Sequence, residues 1–355
     1  MSANNLNLHR WMIDTRTLWQ DEGALQNSSH LALLSSTTQA SILQYYRSAD
    51  RRMSLASHLL KHLAVARICH VPWNDITISR PGHSKPHYAP PTPSAPSLDF
   101  NVSHQAGLVA LVATPNPASF RVGADIVCTT ERNDLERIER IGFDAWLDAF
   151  ADVFSASELF DLKYTLPSLR LRDGTSLTAF DLGPAVSRLC AVTATPYTIR
   201  SSASGRTYSV LPATVIAAKL RRFYAHWAVK EAYIKLTGDA LLADWLRTVE
   251  TTRLRVPDPV GKGEWGEAVV GCGVDADAEI EMRRDGQRIE DVRIEIRAFE
   301  ADYLLATVVM ALADGEIARD DAFPDWTALD VETDVMPWTA PDRTDVDRSD
   351  CGLGV

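Results

Sequence analysis

The stretch Phe223-Tyr-Ala-His-Trp-Ala-Val-Lys-Glu-Ala-Tyr-Ile-Lys-Leu-Thr-Gly238 constrains this chain more than any other, because its spacing marks a helix with one buried stripe. Phe223, Trp227 and Ile234 fall at i, i+4 and i+11, the helical period. Gly238 supplies the stop signal. Lys230, Glu231 and Lys235 ride on this apolar and aromatic helix, Glu231 at the edge of the stripe and Lys235 one turn beyond it. Taken alone, Glu231 and Lys235 read as a surface ion pair worth about 0.3–0.5 kcal/mol.

Two further segments argue against so bland a reading. Phe100-Asn-Val-Ser-His-Gln-Ala-Gly107 runs into the strand-like Leu108-Val-Ala-Leu-Val-Ala-Thr114. Ser103 and His104 can both donate hydrogen bonds to an anionic oxygen, and a glycine beside them frees the backbone. The alternative is a turn in which Asn101 and Ser103 satisfy local backbone groups. In Arg121-Val-Gly-Ala-Asp-Ile-Val127, Val122, Ala124 and Ile126 share one strand face, while Gly123, Asp125 and Val127 share the other. An acid within a β-branched run is unfavourable unless something pairs with it, whether a divalent cation or a buried Lys or Arg.

Together, Phe-Asn-Val-Ser-His-Gln (100–105), Val-Gly-Ala-Asp-Ile (122–126) and Trp-Ala-Val-Lys-Glu-Ala-Tyr-Ile-Lys (227–235) resemble the 4′-phosphopantetheinyl transferases of the larger, two-lobed type, in their eukaryotic and fungal-like form. Ser84-Lys85-Pro86, which follows Pro-Trp-Asn-Asp-Ile (72–76), fits as a fourth element in the right order. The resemblance covers about 40–315, and some thirty positions carry it sharply. It implies transfer of the phosphopantetheine arm of coenzyme A to a serine of apo acyl or peptidyl carrier proteins, with release of 3′,5′-ADP. Mg²⁺ on the pyrophosphate oxygens is the implied electrostatic device.

Carried over residue by residue, the resemblance makes Asp125 and Glu231 metal ligands. Glu231 is also the implied base, and Lys235 the holder of phosphate charge. His104 is implied as a catalytic residue and also, with Ser103, Lys85, Pro86 and Lys235, as a coenzyme contact, and Arg47 and Arg52 are candidates for the 3′-phosphate. The chain departs from the bacterial pattern at Val127, where a second carboxylate is usual, and Gln105 is the candidate third ligand. Ser84 stands where the loop usually has glycine. Two other functions use the same residues: a metal-dependent coenzyme A pyrophosphate hydrolase, and a non-catalytic coenzyme-binding homologue. The carriers in view are those of fatty acid, polyketide and non-ribosomal peptide synthesis and aminoadipate reductase, the last a step in lysine biosynthesis.

The expected fold class is α+β, a pseudo-twofold pair of similar lobes with the coenzyme cleft between them. The first lobe spans 1–117 and the second 118–313, with an insertion at about 164–211. Within them the pattern predicts a long helix over 40–68, strands at 76–78, 108–114, 121–127, 291–299 and 302–312, helices near 133–150 and 155–163, and a helix over 212–237. Proline-rich 81–96 predicts an irregular loop. Of the net charge of −11, residues 314–355 carry −9, and their Asp, Pro and Thr lack an apolar period. They read as an acidic, disordered tail, although Trp326 and Trp338 leave room for a docked segment. Five scattered cysteines without CxxC spacing point to a reducing, cytoplasmic setting and away from structural zinc. No run is long and apolar enough for a membrane span. Neither membrane nor nucleic acid is an expected partner, and a chain carrying both halves of its site is expected to be a monomer.

Overall fold

The computed structural model describes residues 6–80, 85–171, 173–239, 243, 245–272, 279–313, 315, 317 and 323–340. Ser84, of the Ser-Lys-Pro element, lies outside them, as does 341–355 of the tail. The fold is mixed α and β and divides into two compact units, Met1–Ala124 with Ala311–Val355, and Asp125–Met310.

The first unit is built on a four-stranded sheet in the order Thr327–Ala328, His9–Asp14, Leu108–Thr114, Asp99–Gln105. His9–Asp14 runs antiparallel to Leu108–Thr114, with Trp11 opposite Leu111, and parallel to Thr327–Ala328. The helix Ser48–Cys69 packs on this sheet, burying Leu55, Leu59 and Leu63 against Trp11, Ile13, Leu111 and Ala113. The single helix expected over 40–68 is two, Ser36–Leu43 and Ser48–Cys69. Arg47 is extended at the break (φ −87°, ψ 135°), and Asp50 in the following first turn favours a new helix N-terminus.

The acidic tail departs from expectation over 323–340, which is folded into this unit. Leu329, Val331 and Val335 join its core, and Asp330 caps a short helical turn through the N–H groups of Glu332 and Thr333. Arg10 lies over the rings of Phe323 (5.3 Å) and Trp326 (5.1 Å) and donates to the carbonyl of Pro324. Composition averaged over the tail hides these anchors. Spaced irregularly along irregular backbone, they leave no period to find.

The second unit is organised around the helix Pro212–Thr237. Proline opens it and Gly238 closes it in the left-handed region (φ 82°), donating to Ile234 O. Its apolar face, with Val229 and Ala232, packs on Ile294, Ile296, Leu304 and Ala306. These belong to a sheet ordered Val269–Cys272, Val292–Phe299, Tyr303–Ala311, Phe120–Cys128. Phe223 sits in an aromatic cluster with Trp146 and Phe150, both at 4.7 Å between ring centroids, and with Trp227. Trp227 is partly buried, so the stripe read from the sequence faces this cluster at one end and the core at the other.

The stretch 164–211, expected as an insertion, holds two hairpins, Ser168–Arg170 with Ser176–Thr178 and Tyr197–Arg200 with Thr207–Val210, around the helix Ala179–Ser187. Lys219 of the long helix fastens it. That ammonium is buried and donates to the carbonyls of Lys163 (2.5 Å), Leu189 (2.8 Å) and Ser187 (3.3 Å), with the Phe143 ring at 4.7 Å. Lys219→Met strips buried carbonyls of their donor and is expected to lower unfolding free energy by at least about 2 kcal/mol. Urea unfolding checks this, and a loss below about 0.5 kcal/mol would refute the fastening role.

Candidate active site

In the second unit, Asp125 is buried in the strand Phe120–Cys128, where a carboxylate is costly unless something pairs with it. Its answer is a lysine: Lys235 Nζ donates to Asp125 Oδ1 at 2.5 Å. Glu231 stands one turn before Lys235 on the helix Pro212–Thr237, half-buried. Burial pushes its carboxyl above the usual carboxylate range, to about 7; the Asp125 charge adds to the rise, and Lys235 and Arg132 oppose it. Three residues separated by up to 110 positions therefore form one electrostatic cluster. Two carboxylates with one ammonium at close quarters are under repulsion that a divalent cation relieves.

Lys230 is not part of that cluster. It is buried on the same helix, donating to Glu158 Oε2 (2.6 Å) and Val153 O (2.8 Å). Glu158 also accepts from Thr251 N and, through a capping box, from Ser155 N. Burial raises the Glu158 carboxyl and lowers the Lys230 ammonium, and their mutual attraction opposes both shifts. Neighbouring residues of one motif thus stand in different surroundings: Lys230 holds the helix to Glu158 and Val153, and Glu231 shares the field of Asp125 and Lys235.

The Ser-His segment lies in the first unit as the strand Asp99–Gln105, paired with Leu108–Thr114. Asp99, Asn101 and Ser103 are buried at alternate positions, and His104 is exposed. Successive strand residues face opposite sides, so the structure does not set the Ser103 and His104 side chains side by side. Asp99 Oδ2 accepts from Val122 N (2.8 Å) and Asn101 Oδ1 from Ala124 N (3.0 Å). Side chains here replace a backbone ladder, and Asn101 reaches far past the local turn that was its alternative reading. The strand turns back through Ala106 (φ 48°) and Gly107 (φ 88°), and Gly107 is tied to Thr15 and to Met53 Sδ. A Cβ at Gly107 would come within 2.6 Å of Arg16 Cγ, so the turn needs glycine there for space as well as for φ.

Lys85 donates to Asp99 Oδ2 and Val122 O, each at 2.7 Å, so two of its three donors bind the protein itself. Pro86 follows it on the described side of the loop. Arg47 is exposed at the head of the helix Ser48–Cys69, and Arg52 is half-buried on it with a buried Nε that has no partner among the described residues. Gln105 is half-buried at the end of its strand. Val127 is buried in the apolar core, so this position provides packing. Among the described residues no group of three or more His, Cys, Asp and Glu side chains is poised to hold a metal.

A family model described as "4′-phosphopantetheinyl transferase, N-terminal" matches residues 19–116. A 4′-phosphopantetheinyl transferase of Aureobasidium melanogenum is 41% identical over 95% of this chain and 99% of its own length. The chain belongs to the 4′-phosphopantetheinyl transferase family. Two further members, 4′-phosphopantetheinyl transferase A of Aspergillus fumigatus and 4′-phosphopantetheinyl transferase 1 of Fusarium mangiferae, are 33% and 31% identical, over 98% and 91% of this chain and 95% and 92% of theirs.

Arg132 was not singled out in the sequence of this family member, although it tempers the Glu231 carboxyl. Its position just beyond the Asp125 strand is the signal that was there to use, since loops at strand ends carry such groups. No such signal marks Asp134, whose buried carboxylate accepts from Trp146 Nε1 (3.1 Å) and the Tyr224 hydroxyl and so braces the long helix. No helix among the described residues is long and apolar enough to cross a membrane.

Proposed function

We propose that this chain transfers the 4′-phosphopantetheine arm of coenzyme A to a serine hydroxyl of apo acyl or peptidyl carrier proteins. What supports this above all is the state of Glu231, a carboxyl pushed to about 7 beside Asp125 and Lys235, in a chain that matches named transferases along nearly its whole length. The two-lobed, pseudo-twofold organisation of the family, the monomeric state and the choice among fatty acid, polyketide, non-ribosomal peptide and aminoadipate carriers belong to the same proposal.

In the transfer, the serine oxygen forms a bond to the phosphorus that carries pantetheine, and the bond from that phosphorus to the bridging oxygen breaks. The leaving group is 3′,5′-ADP, and the serine proton passes to a base. We assign Glu231 as that base, directly or through a water; in the metal-free protein its carboxyl titrates near neutrality. Lys235 balances the negative charge that grows on the phosphoryl oxygens, and its bond to Asp125 fixes where the ammonium stands. Ser103, His104, Lys85, Pro86, Arg47 and Arg52 are assigned to the coenzyme.

Asp125 and Glu231 offer the hard carboxylate oxygens that Mg²⁺ prefers, and Mg²⁺ commonly keeps several waters, so two carboxylates fit it. Gln105 is the further oxygen we assign to that ion. When bound, Mg²⁺ supplies charge neutralisation at the pyrophosphate. Because the Glu231 proton must leave before the carboxylate can act as a ligand, Mg²⁺ affinity is expected to rise up to about tenfold per pH unit below pH 7 and to level off above it. Calorimetric titration at pH 5.5, 6.5 and 8 reads this directly, and a flat profile would remove Glu231 from the ligand set.

The transferase reading itself is tested with coenzyme A, Mg²⁺ and an apo carrier protein, the carrier being weighed by intact mass spectrometry. A gain of one phosphopantetheine is the expected result. An unchanged carrier with cleaved coenzyme would point to the hydrolase, and no reaction on any carrier to a binding protein.

A further inference from the structure

Residues 164–211 hold five Arg against two Asp and neither Lys nor Glu, a net charge of +3 in a chain whose net charge is −11. Arg170 is met by Asp258 at 3.2 Å, and Arg206 lies in the field of Asp173. Arg188 and Arg200 are exposed and form no ion pair among the described residues. The second acid, Asp181, is committed to the backbone, its two oxygens accepting from Thr178 N (2.9 Å) and Ser202 N (2.7 Å). The stretch is a basic island on an acidic chain, with cations facing solvent.

The helix Ala179–Ser187 turns Leu182 and Val186 into the core and leaves Phe180, Pro184 and Ala185 to solvent, Phe180 at 85% exposure. Arg188 caps the C-terminal end of that face. Arg200 stands near the other end, because Ser202, two residues beyond it, is bonded to Asp181 in the first helical turn. An apolar strip between two guanidinium groups has the composition of a protein-binding surface, where Arg and aromatic side chains are enriched. Lys219 and its three carbonyls hold this stretch on the long helix, so little freedom is lost on contact.

We propose that this strip docks an acidic face of the carrier domain that receives phosphopantetheine. This rests on the transferase reading, to which it adds Phe180, Arg188 and Arg200 as residues that set carrier affinity. Lys219, which fastens the C-terminal end of the strip through Ser187 and Leu189, precedes Glu231 on one helix by about 18 Å along the axis. A domain of 100 residues is about 30 Å across, wide enough to meet the strip while its serine reaches the Glu231 cluster. A face of two helical turns falls well short of the about 800 Å² per partner that a stable interface buries, which suits a substrate that must leave.

The test uses the full chain and an acidic apo carrier domain, with carrier and coenzyme A varied separately. Arg188→Glu together with Arg200→Glu is expected to raise the carrier KM about tenfold or more, with kcat and the coenzyme A KM within about twofold and the melting temperature unchanged. The fall of kcat/KM with added salt should flatten, as the loss of a charge contact requires. Phe180→Ser, at a side chain already in solvent, should raise the carrier KM about threefold to fivefold and leave the salt dependence as it was. Exchanging Asp and Glu on the carrier for Lys should restore its affinity for the doubly reversed variant. An unchanged carrier KM in both variants, or an equal rise in the coenzyme A KM, would overturn the proposal. So would variants that keep their carrier KM but pass from dimer to monomer in sedimentation, which would give the strip to a second copy of this chain. The transferase reading fails by a different result, an apo carrier left unmodified by the unaltered chain, and calorimetric binding of that carrier then reads the docking alone.

Discussion

Glu231→Gln is expected to abolish nearly all carrier modification while making the metal-free protein more stable in mild alkali. The rate should fall by about 10²- to 10⁴-fold, the usual worth of a positioned general base. The gain in stability follows from the Glu231 carboxyl itself, which holds its proton to about 7 when folded and to about 4.5 when not. The folded state is thus the tighter proton binder. That contribution is complete below pH 4.5, is lost as pH rises towards 7, and leaves a buried carboxylate beside Asp125 above it. A neutral amide avoids the loss, so at pH 8 without Mg²⁺ the variant should be more stable by up to about 3 kcal/mol. Turnover by mass spectrometry and melting at pH 5 and 8 decide the matter. A variant that is slow but no more stable at pH 8 would mean that Glu231 is not repelled in the folded state.

The neighbouring residue should behave in the opposite sense. Lys230→Met leaves Glu158 buried at 3% exposure without its counter-ion, and breaking such a pair costs about 3–5 kcal/mol. For a unit of this size the melting temperature should fall by roughly 10 °C. Turnover below the transition should stay within a few-fold of the unaltered chain, because Lys230 touches Glu158 and Val153 and takes no part in the Glu231 cluster. Adding Glu158→Leu should recover much of the loss, since a pair removed together leaves no orphan charge. A Lys230→Met protein that melts normally, or one that folds well but is inactive, would contradict the structural role given to this lysine.

The elements that were legible in the sequence were those whose ends carry their own punctuation. The helix Pro212–Thr237 could be read to its ends because proline opens it and Gly238 closes it. The strand at 108–114 could be read because it is a continuous apolar run, and that at 292–299 because Val292, Ile294, Ile296 and Ala298 alternate with Arg293, Glu295 and Arg297. Asp125, Glu231 and Lys235 were joined in the sequence only by the family resemblance; the rule that an acid in a β-branched strand demands a partner left a cation or a buried Lys or Arg open, and the bond to Lys235 depends on which helix the fold brings alongside. His9–Asp14 was not reachable: polar residues precede it and its six residues mix charge with aromatics, although it lies inside its sheet. Nor was the pairing of Lys230 with Glu158, 72 positions away, because no local pattern distinguishes a lysine that will be buried from one that will not. Asn101 was legible as a hydrogen-bonding residue, but its partner at Ala124 depends on which strand the fold brings alongside.

The first unit takes its strands from both ends of the chain: Trp11 is paired with Leu111 on one side and with Thr327 on the other. On a ribosome adding about 5–20 residues per second, roughly a quarter of a minute to a minute separates the appearance of His9–Asp14 from that of its last neighbour. During that interval one edge of the strand is bare, as are the surfaces later covered by Leu329, Val331 and Val335. The unit that begins first is therefore the one that finishes last, and a nonsense codon near position 320 would injure the N-terminal sheet while leaving every residue of the Glu231 cluster translated.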